Sequence, residues 1–267
     1  MFPVLDRQLI ALLRSLTHDE WQLQSIAKLW RVKDIAAHLL DGNLRTLSVS
    51  RDHYFGEQPG EIHAYGELVA YLDRLNADWV KAAHRLSPQL LTDLLESTGR
   101  EYCAHLATLD PFGPAVFSVA WAGEETSLNW FHIAREYTEK WIHQQQIRDA
   151  AGKPGLMTRE LFYPFIDTFM YGMPHAYRQV NAPEGTIVAL TVTTDIGGEW
   201  YLRRTADNWQ LSKTHWGEPA ARVSIDPDTA WRLFSKGMTP AAARPVVHIT
   251  GDEALGETAL YMVSVMA

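Results

Sequence analysis

The sequence predicts an α+β fold, in which a helical region over residues 1–180 is followed by a smaller α/β region over residues 181–267. Apolar residues recur at helical spacing through the first two thirds of the chain, whereas after "NAPEGT" they alternate or are β-branched. A chain of 267 residues can form one large domain or two ordinary ones. The change of pattern near Asn181 is therefore the predicted domain boundary.

Six helices are predicted in the first region from the spacing of their apolar residues. The first carries leucines at positions 5, 9, 12, 13 and 16, and the others are "VKDIAAHLLDGNLRTLSVSRDHYF", "YGELVAYLDRLNADWVKAAHRL", "QLLTDLLESTGREYCAHLATL", "SLNWFHIAREYTEKWIHQQQIRDAAG" and "MTRELFYPFIDTFMYGMPHAYRQV". Asp34 stands near the start of the second helix, where a carboxylate favours exposed backbone N–H groups. The fifth helix ends near Gly152 and Pro154, and Pro164 and Pro174 are expected to kink the sixth.

The second region is predicted to contain strands and two helices. A hairpin at Gly197 and Gly198 joins "TIVALTVTTD" to "EWYLRRT", and the further strands are "WQLSKT", "ARVSID" and "PVVHIT". The segment "DPDTAWRLFSKG" is predicted as a capped helix and "DEALGETALYMVSVMA" as a closing helix. These elements together give the α/β character of the second region.

Composition and charge exclude several classes of function. Hydrophobic residues make up 46% of the chain and charged residues 21%, as in a soluble globular protein. The formal net charge of -8 argues against sequence-independent nucleic-acid binding, which needs a basic face. Cys103 is the only cysteine, so an intrachain disulfide and a thiolate zinc site are excluded. Without a recognisable signal peptide or a membrane-spanning apolar run, we expect a cytoplasmic protein with no membrane partner.

Glu139 and His143 are spaced so that their side chains lie on one face of the fifth helix. The spacing leaves open a surface ion pair, a core hydrogen bond or two ligands of a metal. His38 interrupts an otherwise apolar helix face and is the best candidate for a third ligand. Two histidines and one glutamate would leave a position open on a tetrahedral ion, which is typical of catalytic zinc.

Other histidines compete for the same role, and spacing alone does not remove them. They are His53, His63, His84, His132 and His175. His132 precedes Glu139 by seven residues and shares its helix face, but we expect it to be a helix-start residue in contact with solvent. His38 alone is more often a hydrogen-bonded core histidine than a metal ligand.

The stretch "WRVKDIAAHLLDGN", together with "REYTEKWIHQQQIRDA", resembles the DinB-like helical domain and, more narrowly, the mycothiol-dependent maleylpyruvate isomerase family. The ending "HITGDEALGETALYMVSVMA" is similar to the end of that family's sterol-carrier-like second domain. The resemblance implies a four-helix metal-binding bundle over residues 1–180 and an α/β domain over residues 181–267. It also implies that His38, Glu139 and His143 are the metal ligands, with Asp34 as a helix cap or as a support for the ligands.

The resemblance further implies an isomerase that uses a metal-activated low-molecular-weight thiol on a small dicarboxylate. The metal is expected to be zinc, although nickel, iron and manganese accept the same ligands. Substrate carboxylates would need arginine partners, and the candidates are Arg45, Arg135, Arg203, Arg204 and Arg244. A thiol S-transferase acting in detoxification and a non-catalytic metal-dependent binding protein are the alternatives, and the oligomeric state stays open.

Overall fold

The computed structural model describes residues 1–57 and 60–265 and divides the chain into two compact units. The first unit comprises residues 1–117 and 127–156, and the second comprises residues 118–126 and 157–265. The chain therefore passes from the first unit to the second between Leu156 and Met157, earlier than the boundary at 180 and 181 that the composition indicates.

Five helices form the first unit: α1 Phe2–Arg14, α2 Val32–Thr46, α3 Tyr65–Ala83, α4 Pro88–Leu106 and α5 Asn129–Ala151. The helices α1, α2, α4 and α5 pack as a four-helix bundle, and α3 packs against α2. Leu9, Ile35, Leu91 and Ile147 are among the buried residues of the common core. The apolar spacing of each helix thus buries one stripe against its neighbours.

The predicted second helix is shorter in the structure than the expected segment that ends at Phe55. Helix α2 ends at Thr46 and is followed by a π-helical turn over Leu47–Arg51. His53 then adopts a positive φ of 56°, a left-handed conformation that a continuing helix does not accommodate. The helical path therefore stops before the aromatic pair Tyr54 and Phe55.

The second unit begins with the segment that was predicted as one kinked helix. It forms two helices, α6 Arg159–Met170 with Pro164 inside it and α7 Met173–Ala176. Helix α6 packs against strand β2 Gly198–Arg204, where the Trp200 indole N–H donates to Asp167 at 2.8 Å. These contacts explain why α6 belongs to the second unit. Helical periodicity predicts that a helix has an apolar face, but it does not predict which core that face packs against.

A five-stranded sheet in the order β3-β2-β1-β4-β5 organises the second unit. Besides β2, its strands are β1 Ile187–Val192, β3 Trp209–Ser212, β4 Ala221–Ile225 and β5 His248–Gly251. β1 and β4 are parallel, and the other neighbours are antiparallel. Gly197 closes the predicted β1–β2 hairpin, and a Cβ there would collide with the carbonyl oxygen of Val192. The sheet and bundle confirm the predicted α+β fold.

Three short helices complete the second unit: α8 Pro227–Phe234, α9 Pro240–Ala243 and α10 Glu253–Glu257. Asp226 caps α8 by accepting from the backbone N–H groups of Asp228 and Thr229, as predicted for a capped helix. The predicted closing helix is reduced to α10 and a 3₁₀ turn over Thr258–Tyr261, and its last two residues lie outside the described part of the chain. No helix in the described ranges is long and apolar enough to cross a membrane.

Candidate metal centre

Helices α2 and α5 carry the candidate ligands, and both have defined ends. The Asp34 carboxylate accepts from the backbone N–H of Arg31 at 2.9 Å, which confirms its predicted role as a cap of α2. Its other oxygen lies 3.0 Å from His84 Nε2. Helix α5 ends at Gly152, whose φ of 63° suits a left-handed C-cap. Asp34 thus fixes the start of α2, one turn before His38.

His38, Glu139 and His143 come together between α2 and α5. Each offers one potential ligand atom, and the three atoms all lie within 4.8 Å of one another. His143 Nε2 is 3.3 Å from Glu139 Oε2, and the two imidazole centroids are 4.6 Å apart at 76°. All three side chains are half-buried. Among residues 1–57 and 60–265, this is the one group of three or more such side chains that could hold a metal ion.

The hydrogen bonding of His38 fits a metal ligand. Its Nδ1 is buried and has no hydrogen-bond partner within the described ranges. Leaving a polar atom in this state costs free energy, which coordination of a cation by that nitrogen would offset. Burial lowers the pKa of His38 well below its usual value, and the nearby charges of His143, Arg45 and Lys140 lower it further. The ring is therefore neutral near pH 7, the form that binds metals.

Gln146 fixes the orientation of His143. Its Oε1 lies 2.9 Å from His143 Nδ1, so the imidazole donates there and keeps its Nε2 lone pair toward Glu139. Gln146 itself is only 6% exposed, so its amide is held in place. Sequence spacing alone does not single out Gln146, although its position three residues after His143 places both on one face of α5.

Trp30 forms an aromatic wall beside the two imidazoles. Its ring centroid is 4.7 Å from that of His38 and 5.9 Å from that of His143. The Trp30 carbonyl accepts from Gln24 Nε2 at 2.8 Å and from Ser25 Oγ at 2.7 Å. This side chain is therefore positioned by a hydrogen-bonded loop that precedes α2.

The expectation that His132 contacts solvent is wrong. Its side chain is buried, with 3% of the residue exposed, and its Nδ1 lies 3.0 Å from the Arg135 guanidinium. Arg135 also donates to Glu136 at 2.6 Å. His132 therefore belongs to a second polar cluster on α5. The packing of neighbouring helices encloses this cluster, and spacing along α5 alone does not predict that burial. The other rivals His53, His63 and His84 are exposed, and His175 lies in the second unit.

The candidate arginines differ in their surroundings. The Arg135 guanidinium contacts Glu136 and His132. Arg244 donates to Glu253 and Glu257. Arg45 lies on α2, two turns after His38, and contacts Asp41 and Asn76. Arg203 and Arg204 lie on β2 in the second unit, where Arg203 is 5.9 Å from the Trp216 ring centroid. Of the two candidates that share a helix with a ligand, Arg45 has the more exposed side chain, 37% against 16% for Arg135.

Comparison with solved structures supports the two-unit fold. Two crystal structures of a mycothiol-dependent maleylpyruvate isomerase, one of them a histidine-to-alanine mutant, are similar to the chain with TM-scores of 0.55 and 0.57. Each shares 12% sequence identity with it over 93% of this chain and 90% of the solved chain. No curated protein sequence is significantly similar to the chain. At this level of identity the structures describe the fold alone.

The helical unit matches a known family. The model of the mycothiol maleylpyruvate isomerase N-terminal domain covers residues 2–148, which is more than half of the 267 residues and includes His38, Glu139 and His143. The family-like stretches in α2 and α5 therefore belong to one continuous match, as the sequence resemblance predicted. The chain is a member of the mycothiol maleylpyruvate isomerase N-terminal domain family.

Proposed function

We propose that the protein is a metal-dependent enzyme that uses a low-molecular-weight thiol for the cis–trans isomerisation of a small dicarboxylate. The observation that carries this proposal is the convergence of His38, Glu139 and His143, with a buried ring nitrogen of His38 that has no hydrogen-bond partner among the described residues. Family membership supports it. The similar solved structures are named as a mycothiol-dependent maleylpyruvate isomerase, so mycothiol and maleylpyruvate are the first thiol and substrate to test.

His38, Glu139 and His143 would hold the cation, and we expect zinc before nickel, iron or manganese. A divalent cation bound there would lower the pKa of a coordinated thiol, so that thiolate forms near neutral pH. Gln146 keeps the His143 Nε2 lone pair available on the ligand side. The Trp30 indole covers the imidazoles on one side and excludes water there, which strengthens electrostatic interactions within the site.

The proposed reaction needs no oxidant and consumes no thiol. The thiolate sulfur forms a bond to one carbon of the cis double bond, and the π electrons move onto the conjugated carbonyl. Rotation about the resulting single bond precedes return of the electrons and loss of the thiolate, which leaves the trans isomer. Loss of the thiolate is the reverse of its addition, and the bond rotation stands between these two steps. The role of the protein is therefore to position the thiol and the substrate.

The chain's own thiol is a poor candidate for this nucleophile. Cys103 is half-buried and lines a small cavity with Asp6 and Lys140. Burial raises the pKa of the Cys103 thiol, and the Asp6 carboxylate raises it further. Little thiolate is therefore present on Cys103 near neutral pH, and an added thiol is the expected nucleophile.

Metal content tests the proposed ligands. We expect near-stoichiometric metal by mass spectrometry in the wild type and its loss in His38→Ala, Glu139→Ala and His143→Ala. His63→Ala is the matched control, because His63 is an exposed histidine of the same unit. A wild type that neither carries metal nor takes up added zinc would overturn the metal centre.

Turnover then separates the reaction classes. Metal-loaded protein with mycothiol should convert maleylpyruvate to its trans isomer while the thiol concentration stays constant. Steady consumption of thiol with an electrophile would identify a transferase instead. Ligand binding without turnover would identify a binding protein.

A further inference from the structure

Beyond His38, the same face of α2 continues through Gly42 and Arg45. These residues follow His38 by four and seven positions, so all three lie on one stripe of the helix. Four residues of α-helix rise by about 6 Å, which places Gly42 one turn from His38. This stripe therefore leads directly away from the candidate metal centre.

The Arg45 guanidinium lies over the preceding turn. Helical side chains lean toward the helix N-terminus, and Arg45 Nε accordingly lies 2.9 Å from Asp41 Oδ2, an ion pair whose geometry is not that of a hydrogen bond. Its Nη2 donates to Asn76 on α3 at 3.0 Å. Burial raises the pKa of the neighbouring Asp41 carboxyl, while the charge of Arg45 lowers it. The Asn76 hydrogen bond and the charge of Asp41 therefore hold the guanidinium over the turn that precedes Arg45.

Part of this guanidinium remains available. The Arg45 side chain is 37% exposed, and its Nη1 has no partner within residues 1–57 and 60–265. Arginine presents its donors in a planar fork, so the Nη1 side of the guanidinium can donate to a carboxylate. A guanidinium that is anchored at one edge and open at the other is suited to ligand recognition.

Gly42 leaves space beside that edge. A Cβ built at Gly42 would meet no atom within 4 Å, and Gly42 is half-buried. The helix surface at Gly42 is therefore open, whereas the Trp30 ring packs against the His38 ring. A short ligand can lie along this surface with one end near the metal ligands.

We propose that Arg45 binds a carboxylate of the substrate in the space that Gly42 leaves open, one turn along α2 from His38. The proposal rests on the proposed function and assigns the dicarboxylate an orientation. One carboxylate lies on Arg45, and the reacting double bond lies toward the metal centre. Asp41 and Asn76 act as positioning residues for the guanidinium.

Calorimetric titration of maleate into zinc-loaded protein tests this subsite without requiring turnover. We expect Arg45→Gln to weaken maleate binding at least 10-fold and to leave metal content unchanged. Arg45→Lys should recover only part of the loss, because lysine keeps the charge but not the fork. Arg14→Gln is the control, since Arg14 is an exposed arginine of the same unit that pairs with Glu96.

Gly42→Leu provides an independent variant in which Arg45 and its partners remain. We expect it to keep its metal and to bind maleate at least 10-fold more weakly, because the leucine fills the proposed space. In turnover assays Arg45→Gln should raise KM for the dicarboxylate at least 10-fold, with a smaller change in kcat. It should also abolish the preference for maleate over its monoamide.

The outcomes distinguish this proposal from the proposed function. Wild-type affinity for maleate in a folded, metal-loaded Arg45→Gln or Gly42→Leu variant would overturn the subsite, even if isomerisation is observed. Absence of maleate binding by the wild type would also overturn it. Arg45-dependent binding without thiol-dependent isomerisation would support the subsite and overturn the proposed function.

Discussion

At the residue scale, the proton positions on two imidazoles decide what the centre can bind. His38 is kept neutral by burial, and the hydrogen bond to Gln146 keeps the His143 Nε2 lone pair free. Glu139 supplies the one formal negative charge among the three candidate ligands. A neutral His38 and an oriented His143 beside one carboxylate are matched to a divalent cation.

Loss of the Gln146 amide is predicted to weaken metal binding without unfolding the protein. In Gln146→Leu, His143 would lose the partner of its Nδ1, so the ring would sample other orientations. We expect the zinc dissociation constant to rise about 10-fold, at the lower end of the usual effect of such partners. Competition with a chromophoric chelator measures it. Gln89→Leu on the exposed side of α4 is the control, and equal affinities in both variants would contradict the assigned role.

At the element scale, α5 has two chemically distinct faces. One face carries Glu139 and His143, and another carries a buried network around Glu136. Tyr102 on α4 donates to Glu136 Oε2 at 2.6 Å, and Arg135 donates to its Oε1. Burial acts to raise the pKa of Glu136, but the Arg135 charge and the Tyr102 hydroxyl hold it below the usual value. The buried carboxylate is therefore ionised and ties α5 to α4.

Removal of the Tyr102 hydroxyl is predicted to destabilise the bundle. Tyr102→Phe leaves a buried carboxylate oxygen of Glu136 without that donor, which should cost about 1–3 kcal/mol of unfolding free energy. Urea denaturation followed by circular dichroism measures the change. The matched control is Tyr71→Phe, because the Tyr71 hydroxyl donates to the Glu57 carbonyl in an exposed setting. Equal stabilities of the two variants would contradict a stabilising role for the network.

The same glycine-to-alanine substitution is predicted to have opposite effects at two helix positions. Gly42 lies inside α2 with open space at its Cβ position, so Gly42→Ala should stabilise by roughly 0.5–1 kcal/mol. Gly152 has a φ of 63° at the end of α5, so Gly152→Ala should destabilise by about 1–2 kcal/mol. Thermal unfolding of both variants checks the signs. Stabilisation at Gly152 or destabilisation at Gly42 would contradict the backbone argument.

At the scale of the whole molecule, buried neutral histidines make stability depend on pH. Burial lowers the pKa values of His38 and His132 in the folded protein. In the unfolded chain histidine takes up its proton at about pH 6.5. The unfolded state therefore binds more protons as the pH falls below that value, and folding stability must fall with it.

Metal-free protein is predicted to lose stability between pH 7.5 and pH 5.5. Each of the two histidines contributes a slope of up to about 1.4 kcal/mol per pH unit in this window. Urea titrations of the wild type and of His132→Gln across the range measure the slopes. The variant should show the shallower slope, because glutamine does not titrate and every other group is common to both proteins. Identical slopes would show that His132 does not remain neutral when folded.

The sequence by itself determined the features that depend on local spacing. Helical periodicity placed α1 to α5, and the change to alternation located the sheet, so the α+β class is confirmed. The four-residue spacing of Glu139 and His143 requires a shared helix face. His38 was selected because it interrupts an apolar stripe, and its ligand atom lies within 4.8 Å of theirs. That these three residues bind a metal stays a prediction.

Only the tertiary structure decided which surfaces meet. Periodicity shows that α6 has an apolar stripe but not that the stripe covers β2, and the two compact units divide between residues 156 and 157 rather than at the composition shift. Burial of His132 arises from helix packing around α5, and anchoring of Arg45 requires Asn76 from α3. Local spacing fixes the direction of a side chain along its own helix, whereas its solvation and its partners come from elements distant in sequence.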